Sequence, residues 1–211
     1  MPGPDLRAAV QAAERAGARR ALVALRRELG TLRAGGVLGE ALLALVRGEP
    51  FSHLGPATDP RELGTRRQAG GAVLLYRATR RRVGRERALA LTREVLLAGG
   101  LVFVERLLAG PALHAADRLP VDERARLMGE LGERFPNAEG EVTAATDRSV
   151  AFTVTRCRFV ELLAAVGEPE LAPLFCEVDV VYFQPERTVV RLERSQTRAT
   201  GGAVCDFVFR W

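Results

Sequence analysis

Lysine is absent from this 211-residue chain, so all 31 of its Lys and Arg positions are arginine. GC-rich coding produces such a replacement throughout a sequence, so it needs no functional explanation. The arginines are dispersed among 26 acidic residues, and the formal net charge is +5. A basic balance is compatible with nucleic-acid binding, but the chain has no RRM, zinc-finger or KH signature. We therefore expect no nucleic-acid partner.

Long apolar runs are also missing. The chain has no stretch of about 18 uncharged apolar residues, which a helix would need to span a bilayer. Residues 1–7 lack the basic segment and apolar run that begin a signal peptide. We expect a cytoplasmic protein with no membrane partner, and the sequence does not indicate its oligomeric state.

Cysteine is scarce: the chain has three, Cys157, Cys176 and Cys205, and none belongs to a CxxC pair. An odd number of cysteines argues against a disulfide framework, and the spacing argues against a zinc site built from cysteine pairs. We expect reduced thiols, no metal site and no cofactor. Taken singly, each cysteine is better explained as a small core residue than as a catalyst.

The first two thirds of the chain have helical periodicity and no recognisable catalytic motif. Strong helix formers recur with apolar residues at helical spacing, while prolines and glycines over 48–64 predict a loop. His53 and His114 are interpreted as solvated histidines in connecting segments. The predicted helices cover 5–29, 38–46, 69–98 with a joint at Gly84, 101–108 after a break at Gly99-Gly100, and 121–135.

After Glu139 the apolar period changes from 3.6 to 2, which indicates strands. The predicted strands cover 141–147, 149–156, 188–197 and 203–210. Helices are predicted over 159–166 and from Pro169 to about Gln184, although 178–183 would also suit a strand. We predict the α+β class: one domain over 1–211, with a helical layer (1–138) packed on a small antiparallel sheet of about four strands (139–211).

Alternation along the strands predicts which side chains face inward. Arg156 follows the apolar face of the second strand, and Arg194 follows the apolar face of the third. A buried guanidinium needs a carboxylate partner, from the protein or from a ligand. Alternatively, both arginines lie at strand ends and extend to water.

The inward set also includes a thiol from the last strand and a thiol–carboxylate pair. Cys205 shares its strand face with Phe207, and Cys176 and Asp179 are three residues apart in a predicted helix. We therefore predict one pocket lined by Arg156, Cys176, Asp179, Arg194 and Cys205.

Four short motifs of the C-terminal third occur in a distinctive order. They are Thr155-Arg156-Cys157, Cys176-Glu177-Val178-Asp179, Ser195-Gln196-Thr197 and Cys205-Asp206-Phe207. In this order and spacing they resemble the L-2-amino-thiazoline-4-carboxylic acid hydrolase family, most strongly over 152–211. Many relatives have Asn-Arg where this chain has Glu177-Val178, and Arg-Thr where it has Arg194-Ser195. These departures bear on the substrate more than on the fold.

The resemblance implies hydrolytic opening of a cyclic amidine or thiazoline that carries a carboxylate, and an N-carbamoyl amino acid as product. Such a reaction needs a nucleophile, an acid or base, and a cation for the carboxylate. The candidates are Cys176 as thiolate, Asp179 or Glu177 as acid or base, and Arg156 with Arg194 as carboxylate clamp. Neighbouring arginines are expected to lower the pKa of the Cys176 thiol. The further substrate-binding candidates are Thr197, Cys157 and Cys205.

A non-catalytic module is the second interpretation. Cys205 follows paired glycines, Gly201-Gly202, near the end of a small sheet, and this resembles the vinyl-reductase-like group of small-ligand-binding domains. The pocket would then hold a small carboxylate without transforming it, and the cysteines would be structural. A three-cysteine metal site is a third interpretation, which the spacings do not favour.

Overall fold

The computed structural model describes residues 5–108 and 111–211. Its helices are α1 (Leu6–Leu29), α2 (Thr31–Val46), α3 (Pro60–Val83), α4 (Arg85–Leu108), α5 (Pro111–Ala115), α6 (Val121–Glu133), α7 (Arg158–Ala165) and α8 (Ala172–Tyr182). Its strands are β1 (Ala138–Ala145), β2 (Ser149–Cys157), β3 (Arg191–Glu193) and β4 (Cys205–Arg210).

Aspartate caps and glycine stops set the ends of the long N-terminal helices. The Asp5 carboxylate accepts from the backbone N–H of Arg7 at 2.9 Å and begins α1, and Asp59 caps α3 in the same way. Gly30 (φ 75°) ends α1, and Gly84 (φ 81°) separates α3 from α4, both at positive φ where glycine is unstrained. The predicted helix over 5–29 and the joint at Gly84 are confirmed.

The predicted break at Gly99-Gly100 is wrong, because α4 runs through both residues as one helix. These glycines permit close packing instead of ending the helix. A Cβ atom on Gly99 would lie 2.9 Å from the carbonyl oxygen of Ala13 in α1, and one on Gly100 would lie 2.5 Å from a methyl group of Val178 in α8. The pair therefore lets α4 contact α1 and α8 at once.

The four strands form one antiparallel sheet in the order β1-β2-β4-β3. With eight helices, the described chain has the predicted α+β class. Residues 172–182 are helical, so the predicted helix is confirmed and the alternative strand over 178–183 is excluded. The strand predicted over 188–197 shortens to Arg191–Glu193, because the N–H groups of Ser195 and Gln196 bond to the Asp206 carboxylate instead of a strand.

Helix α4 lies at the centre of the fold and packs against α1, α3 and α8. The largest core cluster joins α1, α4, α6 and α8 to the sheet, and its buried members include Val10, Val104, Met128, Val150 and Val178. No helix within the described ranges is long and apolar enough to cross a membrane. The space between α4, α8 and the sheet is where the cysteine-bearing elements meet.

Candidate functional site

Three thiols and a carboxylate line one cavity of about 90 Å³ between α8, α4 and the sheet. We call it the site cavity. Cys157, Cys176, Cys205 and Asp179 all contribute to its wall. Much of the remaining wall is apolar and includes the stacked rings of Phe159 and Phe175, whose centroids are 4.1 Å apart. The structure thus brings together residues that are far apart in the sequence.

Each of these side chains is positioned by the end of an element or by one face of a helix. Cys157 is the last residue of β2, and Cys205 is the first residue of β4, where it pairs with Val154. Cys176 and Asp179 are three residues apart on α8 and therefore share a helix face. The two strand ends and this face of α8 meet at the cavity.

Arg194, which the sequence predicted to line the pocket, is not part of this wall but places a positive charge beside it. Its Nη1 lies 3.7 Å from Oδ2 of Asp179, its Nη2 donates to the carbonyl oxygen of Cys176 at 3.4 Å, and its guanidinium lies 5.5 Å from the ring centroid of Phe207. The Arg194 side chain is 13% exposed. Nη1 is buried and has no hydrogen-bond acceptor within the described part of the chain. A cationic donor of this kind is suited to an anionic ligand.

Burial controls protonation at this site. It raises the pKa of Asp179 to about 6, against the opposing effect of Arg194. Burial, followed by the nearby Asp179 charge, raises the pKa of the Cys176 thiol to about 12. Burial also raises the pKa of Cys157 and of Cys205. The expectation that arginines lower the Cys176 pKa is wrong, since desolvation outweighs Arg194. At neutral pH the site holds neutral thiols and an ionised carboxylate.

Arg156 does not line the site cavity, in contrast to the sequence prediction. Glu139 of β1 pairs with Arg156 while the next residue, Gly140, pairs with Val154, so Thr155 is the extra residue of a β-bulge. The bulge shifts the alternation by one residue, and Cys157 turns inward in place of Arg156. The Arg156 guanidinium is instead paired with Glu139 at 3.0 Å and with Glu161 at 2.8 Å, on the exposed side of the sheet.

Glu177 and Thr197 also lie outside the cavity wall. The Glu177 carboxylate points from α8 towards α4 and forms an ion pair with Arg93. The Thr197 side chain is buried, and its hydroxyl accepts from the backbone N–H of Thr200 at 3.2 Å. Both side chains therefore stabilise neighbouring parts of the fold, whereas the family resemblance implied that they act on or bind the substrate.

Sequence reasoning missed Asp206 as a positioning residue. Its carboxylate accepts from the backbone N–H groups of Ser195 at 3.0 Å and Gln196 at 2.7 Å, and from the Ser195 hydroxyl. These bonds hold the pKa of Asp206 below its usual range. They also fix the segment that immediately follows Arg194. One feature of the sequence could have indicated this role: Asp206 belongs to the Cys-Asp-Phe motif and lies on the strand face opposite Cys205.

Gln68 and Asn137 are further polar residues of the cavity wall that sequence reasoning did not find. Gln68 comes from α3 and Asn137 precedes β1, and neither lies in the four short motifs of the C-terminal third. None of the three cysteines is bridged. Among the described residues, no group of three or more His, Cys, Asp or Glu side chains is arranged to hold a metal ion.

Comparison with known proteins agrees with this arrangement of motifs. The family model of L-2-amino-thiazoline-4-carboxylic acid hydrolase matches residues 64–209, which include every residue named above as lining the site cavity. No curated protein matches the chain. Because the family model covers most of the sequence, the chain belongs to the L-2-amino-thiazoline-4-carboxylic acid hydrolase family.

Proposed function

We propose that this protein is a hydrolase that opens a cyclic amidine or thiazoline ring bearing a carboxylate, such as 2-amino-thiazoline-4-carboxylate. The observation that carries the proposal is that Cys176 and Asp179 line one largely apolar cavity, with a guanidinium nitrogen of Arg194 3.7 Å from the Asp179 carboxylate. A nucleophile, a base and a cation are the three groups that this hydrolysis needs. The family membership supports the same class of reaction.

Arg194 is the group that binds the substrate carboxylate. Its buried Nη1 is available to an acceptor, and charge-assisted hydrogen bonds from Arg to a carboxylate are among the strongest in proteins. Arg156 was the second candidate for this clamp, but its guanidinium is already paired with two glutamates. We therefore assign the carboxylate to Arg194 alone, with Cys157 and Cys205 contacting the ring from the wall.

Asp179 is the base in this mechanism. With a pKa of about 6, its carboxylate is ionised at neutral pH yet basic enough to accept a proton. In the direct route it takes a proton from water as the oxygen bonds to the amidine carbon. The bond from that carbon to the ring sulfur then breaks, the proton passes from Asp179 to the departing sulfur, and the remaining proton of the added oxygen moves to the ring nitrogen. One water is consumed, and the product is the N-carbamoyl amino acid.

Cys176 offers a covalent route with the same balance. Its thiol is neutral at rest, so Asp179 must take the Sγ proton as sulfur adds to the amidine carbon. The ring carbon–sulfur bond breaks, and the proton moves to the ring sulfur. Water then adds to the enzyme-bound carbon; one of its protons passes to the departing Cys176 sulfur and the other to the former ring nitrogen, which leaves the carbonyl of the product.

A turnover assay on thiazoline and hydantoin carboxylates tests the proposal. We expect Asp179→Asn to lower kcat by at least about 100-fold, the usual contribution of a general base. Glu177→Gln is the matched control, because Glu177 is on the same helix but outside the cavity, and it should retain wild-type turnover. Cys176→Ser separates the routes: loss of activity supports the covalent route and retention supports direct attack by water. No turnover of any ring substrate by the wild type would overturn the proposal.

The second candidate is a non-catalytic binding domain for a small carboxylate. It is favoured by the raised pKa of all three cavity thiols, since neutral buried thiols are poor nucleophiles. In this case carboxylates would bind at Arg194, and Arg194→Met would weaken binding, while no ring substrate would be consumed. Calorimetric binding without turnover would select this candidate.

A further inference from the structure

A second cavity, of about 120 Å³, lies next to the site cavity. We call it the apolar cavity. It is lined by Leu131 and Met128 of α6, by Phe152 and Phe209 of the sheet, and by side chains of α4 and α8. Among the described residues that line it, only Asn137 and Asp179 have polar side chains. Its walls are thus close to those of a hydrocarbon-binding pocket.

The two cavities share part of their walls. Val154, Asp179 and Phe207 each line both. Arg194 is not itself part of either wall, but it adjoins two residues of the shared part: its guanidinium is 5.5 Å from the Phe207 ring centroid and 3.7 Å from Asp179. A carboxylate held by Arg194 is therefore beside both spaces.

Unfilled apolar space of this size is unusual beside a protein core, because interiors are packed as densely as organic crystals. An engineered apolar cavity of about 150 Å³ stays dry and binds benzene, which sets the scale of what fits here. The site cavity alone, at about 90 Å³, has room for a small ring. The adjoining space therefore exceeds what 2-amino-thiazoline-4-carboxylate requires.

We propose that the ligand of this protein is a carboxylate with an apolar substituent of up to about the size of a phenyl ring, whose carboxylate binds Arg194 and whose substituent fills the apolar cavity. The inference rests on the proposed function in placing the ligand carboxylate at Arg194. It does not require that the protein hydrolyse the ligand. It assigns a substrate class larger and more apolar than the simple thiazoline carboxylate.

Binding of a homologous series of n-alkanoates, from propanoate to octanoate, tests the inference without chemistry. Each methylene that enters the cavity should tighten Kd about three- to fourfold, which corresponds to about 0.8 kcal/mol per buried CH₂. The gain should stop once the cavity is filled. Matched n-alkanols, which lack the carboxylate, should bind more weakly at every length. A Kd independent of chain length would overturn the inference.

A cavity-filling variant tests the location. Met128→Phe enlarges a side chain that lines the apolar cavity but not the site cavity. We expect it to weaken hexanoate at least tenfold and to leave propanoate within twofold. Met128→Leu conserves volume and should behave as the wild type. Should Met128→Phe fail to fold, the chain-length series on the wild type still decides. Equal weakening of both alkanoates would overturn the assignment to this cavity.

Turnover then separates the two proposals. If the wild type hydrolyses 2-amino-thiazoline-4-carboxylate and its 5-phenyl derivative with equal kcat/KM, the apolar cavity takes no part and the inference fails while the function stands. If hexanoate binds tightly but neither ring is hydrolysed, the ligand class stands and the hydrolase proposal fails. Preference for the phenyl derivative supports both.

Discussion

At the scale of the residue, burial and Arg194 act on the Asp179 carboxyl in opposite directions. Burial is the larger effect, so the pKa rises to about 6. Below this pH the carboxyl is protonated and cannot serve as a base. Protonation of Asp179 should therefore be visible in the pH dependence of the reaction.

We expect kcat/KM to rise about tenfold per pH unit up to about pH 6 and then to level off, as for a base that must be ionised. Arg194→Met removes the cation that lowers the Asp179 pKa, so the rising limb should move to higher pH. Arg156→Met is the matched control, because the Arg156 side chain is 44% exposed and lies outside the cavity. This variant should leave the pH at which kcat/KM rises unchanged. A flat profile between pH 5 and 8 would contradict the assignment of Asp179.

Residue-level prediction from sequence succeeded where alternation stayed regular. Cys205 and Arg194 follow unbroken alternation in their segments; Cys205 lines the site cavity, and Arg194 lies beside it, 3.7 Å from Asp179. Arg156 was misplaced because a bulge at Thr155 depends on pairing with β1, which no pattern within β2 reports. The Cys176 pKa was mispredicted for a related reason: the amount of solvent removed by the surrounding helices cannot be read from neighbouring charges.

At the scale of the element, α4 owes its position to two glycines that the sequence presented as a helix break. Gly100→Ala would place a methyl group 2.5 Å from a methyl carbon of Val178, and the rigid, buried Val178 cannot move away easily. We expect a loss of about 1–3 kcal/mol in the free energy of unfolding, the usual cost of overpacking. Urea denaturation measures it.

Gly71→Ala supplies the matched control within α3. Its Cβ atom would have no neighbour within 4 Å, so only helix propensity changes. A gain of about 0.5–1 kcal/mol is expected there. If both variants lost the same stability, backbone effects rather than the contact with Val178 would be responsible.

Elements whose ends are set locally were the ones predicted best. Asp5, Gly30 and Gly84 act on their own helices, and their positions agree with the predicted limits. Arg124 shows the opposite case. Its buried guanidinium donates to backbone carbonyls from two segments, 116–119 and 146–147, including those of Ala116 and Asp147. Every residue has a backbone carbonyl, so the sequence could not indicate which carbonyls Arg124 would bind.

At the scale of the whole molecule, the helical part and the sheet part share one core cluster. We therefore expect a single cooperative unfolding transition, as for one domain. Far-UV circular dichroism reports the helices. Fluorescence of Trp211, the single tryptophan, reports the end of the sheet, because its Nε1 donates to the carbonyl oxygen of Leu113 at 3.2 Å.

The two signals should give the same denaturant midpoint. Labelling of the buried thiols Cys157 and Cys205 provides a third probe that does not depend on the C-terminus. Loss of Trp211 fluorescence together with exposure of both thiols at a denaturant concentration where the helices persist would show two units instead of one.

The contact of Gly99 with Ala13 has a consequence for where this protein can be cut. The family match begins at residue 64, inside α3, and leaves out α1 and the Asp59 cap. A fragment of 64–209 would retain the named cavity-lining residues, but the face of α4 that covers Val10 and Leu25 would be exposed to water. We therefore expect the limits of independent folding to be wider than the limits of sequence similarity. Loss of activity in such a fragment would reflect lost packing, so the catalytic residues have to be tested in the longer chain.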